Sequence, residues 1–259
     1  MSTKLAPNFY TLEGNGGTIG VLAGPDGVVM VDSQFAPLTE KIVTAIRQIT
    51  DKPIRFTINT HLHPDHTGGN ENLANMGVAI IARDELREGL AKNPATKPGT
   101  LPLITYSGRV TIHMNGEDVQ LIPVPAAHTS GDTMVRFPGS DVIMTGDFYR
   151  SLGYPNIDRA NGGSLKGLLD GLNAIIQLAG PNTKIVPGHG AVVNKTAVTE
   201  NRDMILAIRD RVDALIKQGK AQADIIAAKP TSDYDAKVPQ GTMTSDRFIG
   251  QLYAELGGK

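Results

Sequence analysis

The run Thr60-His61-Leu62-His63-Pro64-Asp65-His66-Thr67-Gly68-Gly69 places three imidazoles and a carboxylate within six residues. Neutral imidazole and carboxylate are the ligands Zn²⁺ accepts where no thiolate is offered. The chain has no cysteine, which excludes thiolate metal sites, disulfide scaffolds and cysteine nucleophiles. Pro64 makes the run poor helix material, whereas a turn at a strand end can splay its side chains toward one point. One ion cannot take all four groups from so short a segment with good geometry. The run is therefore expected to serve two ions, His63 joining His61 on one while Asp65 and His66 face the other. The competing account is a polar turn with incidental histidines.

There are six histidines in all. Five of them, His61, His63, His66, His128 and His189, follow predicted strands in turns rich in Gly, Thr or Pro, where loops present side chains from a rigid sheet. His113 lies between Ile112 and Met114 inside a predicted strand and is expected to be a surface or sheet histidine without a metal role.

The elements that must position these residues alternate in a regular way. Phe9–Leu12, Thr18–Leu22 and Val28–Val31 read as strands broken by Gly14-Asn15-Gly16-Gly17 and Gly24-Pro25-Asp26-Gly27. Residues 37–49 read as a helix, Ile54–Ile58 as a strand, 70–76 as a helix and 78–82 as a strand. The order then repeats, with strands at 109–114, 119–124, 133–137 and 141–145. A helix over 164–178 carries Leu165, Leu168, Leu172 and Ile175 as one buried stripe. A strand at 184–186 leads into Pro187-Gly188-His189-Gly190, followed by helices around 205–215 and 246–256, with a polar, loop-like stretch at 232–244. Strands then helix, twice over, predicts an α+β fold. Two mixed β-sheets pack together with helices outside, an αβ/βα sandwich of four layers. No linker or short repeat divides the chain, so residues 1–259 are expected to form one domain, with about 196–259 as a C-terminal helical extension.

Composition narrows the function classes. With 259 residues, 40% hydrophobic and 20% charged, the chain can bury a core, and global disorder is excluded. A formal net charge of −1 argues against a nucleic-acid-binding surface. No run of about 18 apolar residues exists, so a membrane span is not expected. The opening Met-Ser-Thr-Lys lacks the apolar run of a secretory signal. The chain reads as cytoplasmic as written, or periplasmic if a signal peptide has been removed.

The run THLHPDHTGG resembles the signature of the metallo-β-lactamase superfamily, and the rest of that pattern follows in order: Ala126-Ala127-His128-Thr129-Ser130-Gly131-Asp132, Met144-Thr145-Gly146-Asp147 and Pro187-Gly188-His189-Gly190. The resemblance runs from the first strands to about residue 195 and implies that family's sandwich fold. It also implies that His61, His63 and His128 hold one metal, that Asp65, His66 and His189 hold the other, and that Asp147 bridges both. The implied cofactor is two Zn²⁺, with Fe or Mn able to occupy such ligands. Three terminal ligands per ion plus one shared leave open positions, the mark of a catalytic site rather than a closed structural one.

The expected chemistry is hydrolysis by a metal-bridging hydroxide, generated near neutral pH and oriented by Asp65. The bond cleaved would be the C–N or C–O bond of a β-lactam, lactone, ester or thioester; the alternative is a phosphodiester or sulfate ester on the same metal pair. A non-enzymatic metal-binding module would predict a missing ligand, and none is missing. No Gly-x-Ser-x-Gly elbow supports a serine route. The best-known β-lactamases of the superfamily carry cysteine where this chain has Asp147; the acidic bridge is similar to glyoxalase II and lactonases. His63 sits where iron-dependent oxidoreductase members usually carry Glu. Arg150 follows Asp147 by three, as a carboxylate-binding lysine does in the cysteine-containing enzymes, and a guanidinium can grip a carboxylate bidentately. Tyr149 as an oxyanion donor and Asn161, in a loop over 151–163 long enough to line the pocket, complete the expected substrate contacts. The expected partner is a small-molecule substrate, with no nucleic acid and no membrane; oligomeric state is left open.

Overall fold

The computed structural model describes residues 1–124 and 126–258. Pro125 and Lys259, both inside the expected single domain, lie outside the described residues. The first sheet has seven strands in sequence order: β1 (Ser2–Ala6), β2 (Phe9–Leu12), β3 (Ile19–Gly24), β4 (Gly27–Val31), β5 (Ile54–Ile58), β6 (Ala79–Arg83) and β7 (Ile104–Tyr106). Its first four strands form an antiparallel meander; β4 to β7 are parallel. The parallel strands need crossovers, supplied by α1 (Thr39–Arg47), α2 (Pro64–Thr67), α3 (Asn70–Asn75) and α4 (Asp84–Ala91).

The second sheet holds β8 (Val110–Met114), β9 (Glu117–Pro123), β10 (Thr133–Phe137), β11 (Val142–Met144) and β12 (Lys184–Val186), in the order β12-β11-β10-β9-β8. Only its β11–β12 pair is parallel, joined through α5 (Leu165–Leu178). Beyond β12 come α6 (Lys195–Lys217), α7 (Gln222–Ala227), α8 (Ser232–Asp235) and α9 (Ser245–Glu255).

Three buried apolar clusters make this a four-layer αβ/βα sandwich. In β4, Val29 and Val31 face the second sheet while Val28 and Met30 face α1, the period-two alternation of a strand buried on both sides. Between the sheets, Phe9 and Phe137 meet with ring centroids 4.6 Å apart. On the far side, Ile122, Met134, Ile143 and Ile185 of the second sheet pack against Leu168, Leu172 and Ile175 of α5. Ile205, Ile208 and Val212 of α6 and Phe248, Ile249 and Leu252 of α9 join the same cluster.

Several elements depart from the sequence reading. The stretch read as too proline-bound for helix makes one helical turn, α2, with Pro64 at its first position, where the missing N–H is harmless. β1 and β7 are edge strands whose exposed residues leave no alternation to read. α4 buries only Leu86, so it shows no stripe, and the stretch over 232–244 opens with the short helix α8.

Candidate metal centre

The candidate ligands sit at the carboxyl ends of strands in both sheets. His61 and His63 lie in the loop after β5, Asp65 and His66 in α2 directly beyond it, His128 in the loop between β9 and β10, Asp147 in a turn after β11, and His189 after β12. Their ligand atoms converge as three groups, each within 4.8 Å: His61, His63 and His128; His61, His66 and Asp147; Asp65, His66 and His189. Asp147 presents one oxygen to each side. Its Oδ1 lies 3.3 Å from His66 Nε2 and 3.4 Å from His189 Nε2, and its Oδ2 lies 3.9 Å from His128 Nε2. His189 Nε2 is 3.0 Å from Asp65 Oδ2. His113 is remote from all of this, exposed on β8 and bonded to Asp118.

Outer partners decide which ring nitrogen His61, His63, His66 and His128 leave bare. Asn156 O can only accept, so His128 Nδ1 carries the hydrogen (2.8 Å) and Nε2 offers a lone pair. Asp158 Oδ2 accepts from His63 Nε2 at 2.8 Å, which leaves Nδ1 free, 2.9 Å from His128 Nε2. Asp32 Oδ2 accepts from His66 Nδ1 and from Thr60 Oγ1, both at 2.7 Å. Because Thr60 Oγ1 donates to Asp32, it accepts from His61 Nδ1 at 3.1 Å, so His61 Nε2 is bare as well. Histidines that hold metals are oriented in this way by a second hydrogen bond.

The decisive observation is what this arrangement leaves unpaired. His61 Nε2, His66 Nε2 and Asp147 Oδ1 are buried without a hydrogen-bond partner. A buried polar atom without a partner costs about 1–3 kcal/mol, so three in one cluster call for a cation. Imidazole nitrogens and carboxylate oxygens fit a pair of divalent metals.

Electrostatics follow the same geometry. Burial, then the neighbouring His66 and His128, hold His61 well below the ordinary histidine value. Burial also pushes His128 down to about 4, against the pull of Asp147. For His66 burial acts downward too, yet the carboxylates of Asp32 and Asp147 outweigh it and hold the imidazole well above its usual value. Asp147 is held well below the carboxylate range despite its burial, by His66 first and then His61 and His128. Burial is the largest single effect on Asp65 and acts upward, but the bond to His189 and the charges of His66 and His189 together outweigh it and lower the carboxyl.

Behind the ligands, sequence reasoning reached Asp132, which with Gly131 was expected to shape the turn after His128, but missed Asp32, Arg83 and Asp158. Asp32 is buried at the end of β4 with φ 63°, and its Oδ1 also accepts from Thr60 N at 2.7 Å. Its signal was present: an apolar strand ending in a carboxylate, as β11 ends near Asp147. Asp132 closes the His128 turn, accepting from His128 N (2.6 Å) and from Thr129 N and Oγ1. Arg83 Nη1 donates to Val124 O and Ser130 O, tying the two sides of the His128 loop together. Close approach of backbone to ligand also demands glycine: a Cβ on Gly17 would lie 2.1 Å from His66 Cε1, and one on Gly188 2.0 Å from Asp147 Oδ1.

The expected substrate residues fall in three different places. The Arg150 side chain is largely covered, with Nε 4.0 Å from Asp147 Oδ2 and without a hydrogen-bond partner among the described residues; Nη2 reaches Thr242 Oγ1 at 3.5 Å. Tyr149 faces a cavity of about 620 Å³ between the 149–153 segment, α6 and α8, together with Glu200, Met204 and Tyr234. Asn161 stands behind His63, donating Nδ2 to Asp158 Oδ2 at 2.6 Å.

A family model for the metallo-beta-lactamase superfamily matches residues 12–189. The chain belongs to the metallo-β-lactamase superfamily. Among curated relatives it is similar to the 2,4-dinitroanisole O-demethylase subunit alpha of Nocardioides sp. (strain JS1661), 30% identical over 138 residues, 49% of this chain and 42% of that one. It is also 28% identical over 195 residues to the hydroxyacylglutathione hydrolase of Nitrosococcus oceani, covering 72% of this chain and 66% of that one. The match thus spans less than two thirds of each relative's length. Among solved structures, a stereoselective inverting sec-alkylsulfatase from Pseudomonas sp. superposes with TM-score 0.77 at 16% identity, over 99% of this chain and 50% of its own. A metallo-beta-lactamase from Pontibacter korlensis superposes with TM-score 0.68 at 19% identity, over 80% of this chain and 98% of its own.

Proposed function

We propose that this chain is a binuclear metal-dependent hydrolase that cleaves a C–N or C–O bond in a lactam, lactone, ester or thioester. The observation that carries the reading is the convergence of bare ring nitrogens, each fixed by an outer partner, on the shared carboxylate of Asp147. His61, His63 and His128 would hold one divalent cation, Asp65, His66 and His189 the other, and Asp147 would bridge; zinc is the first candidate, with iron or manganese also suited to such ligands. Such a pair supplies Lewis acidity and lowers the pKa of water toward neutrality.

The chain's own residues do the rest. Asp65, a quarter exposed, accepts a hydrogen bond from the attacking water and orients it toward the substrate. Arg150, whose Nε has no hydrogen-bond partner beside the centre, binds an anionic group of a small-molecule substrate. Tyr149, whose hydroxyl is pushed up to about 12 by burial and then by Glu200, remains a neutral donor on the wall of the adjoining cavity. Asn161 acts one step back, holding the carboxylate that orients His63.

A second reading, sulfate-ester or phosphodiester hydrolysis on the same metal pair, is favoured by one observation. The guanidinium of Arg150 keeps Nε without a hydrogen-bond partner beside the centre, and its planar array of donors suits a tetrahedral oxyanion. Initial rates with a chromogenic cephalosporin, a lactone, a thioester and a nitrophenyl sulfate, before and after chelation, separate the two readings. Chelator-sensitive turnover of a C–N or C–O substrate is expected, and Asp147→Ala should lower metal content and turnover together. Turnover of the sulfate alone would transfer the assignment to the second reading, and a protein that binds no metal would sink both.

A further inference from the structure

The segment 156–161 touches two of the three histidines in the first group. Asn156 O takes the Nδ1 hydrogen of His128, Asp158 Oδ2 takes the Nε2 hydrogen of His63, and Asp158 N donates to His128 O at 3.0 Å. The segment is irregular apart from a short turn, so its rigidity must come from what it is bonded to. Asn161 bonds Asp158 from within, and its carbonyl accepts from Ser130 N at 2.9 Å.

The remaining anchors come from α9. Gln251 Oε1 accepts from Ile157 N at 3.0 Å, and Gln251 Nε2 donates to Asn156 Oδ1 at 2.9 Å. One turn further on, Glu255 pairs with Arg159 Nε at 2.9 Å and accepts from Leu165 N at 2.8 Å. Gln251 thus grips Asn156, which makes the His128 contact, and Ile157, which lies between it and the His63 contact at Asp158. α9 is fixed in turn by Phe248, Ile249 and Leu252 in the core, with Phe248 stacked on Tyr154 at 5.6 Å. Asp32, at the end of β4, supports His66 of the second group directly and His61 of the first through Thr60, so α9 bears only on His63 and His128.

We propose that α9 is an outer support of the first metal position, with Gln251 as the positioning residue that transmits it to His63 and His128. This rests on the reading that His61, His63 and His128 hold a cation. A ring freed from its outer partner turns away from the metal, and loss of such a partner costs about 10–100-fold in metal affinity.

The test uses full-length protein, stripped of metal and titrated with zinc against a chromophoric chelator. Two binding steps are expected, the first position identified by its loss in His128→Ala and the second by its loss in His189→Ala. Gln251→Ala and Asp158→Asn should each weaken the first step about 10–100-fold and leave the second unchanged. Gln251→Glu, which keeps an acceptor for Ile157 N, should restore the first step. Equal weakening of both steps with a lower melting temperature would mean general loosening and would overturn the proposal, as would two unaltered steps in Gln251→Ala. A wild-type chain that takes up no zinc would overturn the metal reading itself, and the proposal with it.

Discussion

Among the candidate ligands, His66 differs from His61 and His128 in the direction in which its surroundings shift its protonation. Asp32 and Asp147 hold it well above the ordinary value against the effect of burial. The stability it lends is whole below about pH 6.5, the unfolded value, and is lost as pH rises through the raised folded value. His61 and His128 act in the opposite sense, since burial depresses both. Their contribution is present above about pH 6.5 and is lost as pH falls toward their folded values. Metal-free protein should therefore melt highest near about pH 6.5. A bound cation requires the unprotonated Nε2 of His66, so metal loading should abolish the loss on the alkaline side. Melting curves on both sides of neutrality, with and without zinc, check this; an alkaline loss that persists in the metal-loaded protein would contradict it.

At the level of elements, the question is how loops hold ligands so closely. Gly17 lies against His66, and that ring cannot retreat because Asp32 grips its other side at 2.7 Å. Gly17→Ala should cost about 1–3 kcal/mol through overpacking and lower the occupancy of the position His66 serves; urea unfolding and metal analysis read the two effects. Ser164 caps α5 by accepting from Gly167 N and also donates to Ala126 O beside the His128 loop. Its replacement by Ala should cost about 1 kcal/mol in the same unfolding measurement. Much of this was legible in the sequence. Strand ends announce themselves by apolar runs stopping at Gly, Thr or Pro, and five of the six histidines fall there. Asp158 was not legible, because its partner His63 is 95 residues away and nothing local marks the pairing. The edge strands β1 and β7 escaped for a related reason: exposure removes the alternation by which a strand is read.

Across the whole molecule, the far apolar layer ties the last helices to the second sheet. Ile205, Ile208 and Val212 of α6 and Phe248 and Leu252 of α9 are essentially inaccessible to solvent, packed in one cluster with α5. Ending the chain at Lys195 would uncover that layer, and the shortened protein should show no cooperative melt; a sharp transition would mean that residues 196–259 are dispensable for folding. The same view bears on the candidate metal centre. Its residues arrive from the ends of β5, β9, β11 and β12, so they join both sheets through segments far apart in sequence. This chain has no cysteine, and a bound ion pair would restrain it much as disulfides restrain a secreted domain, closing long loops in the unfolded ensemble. Protease resistance should then rise and fall with metal supply. A starved cell would not accumulate an idle form of this protein in waiting, because the copies without metal would be the ones degraded first.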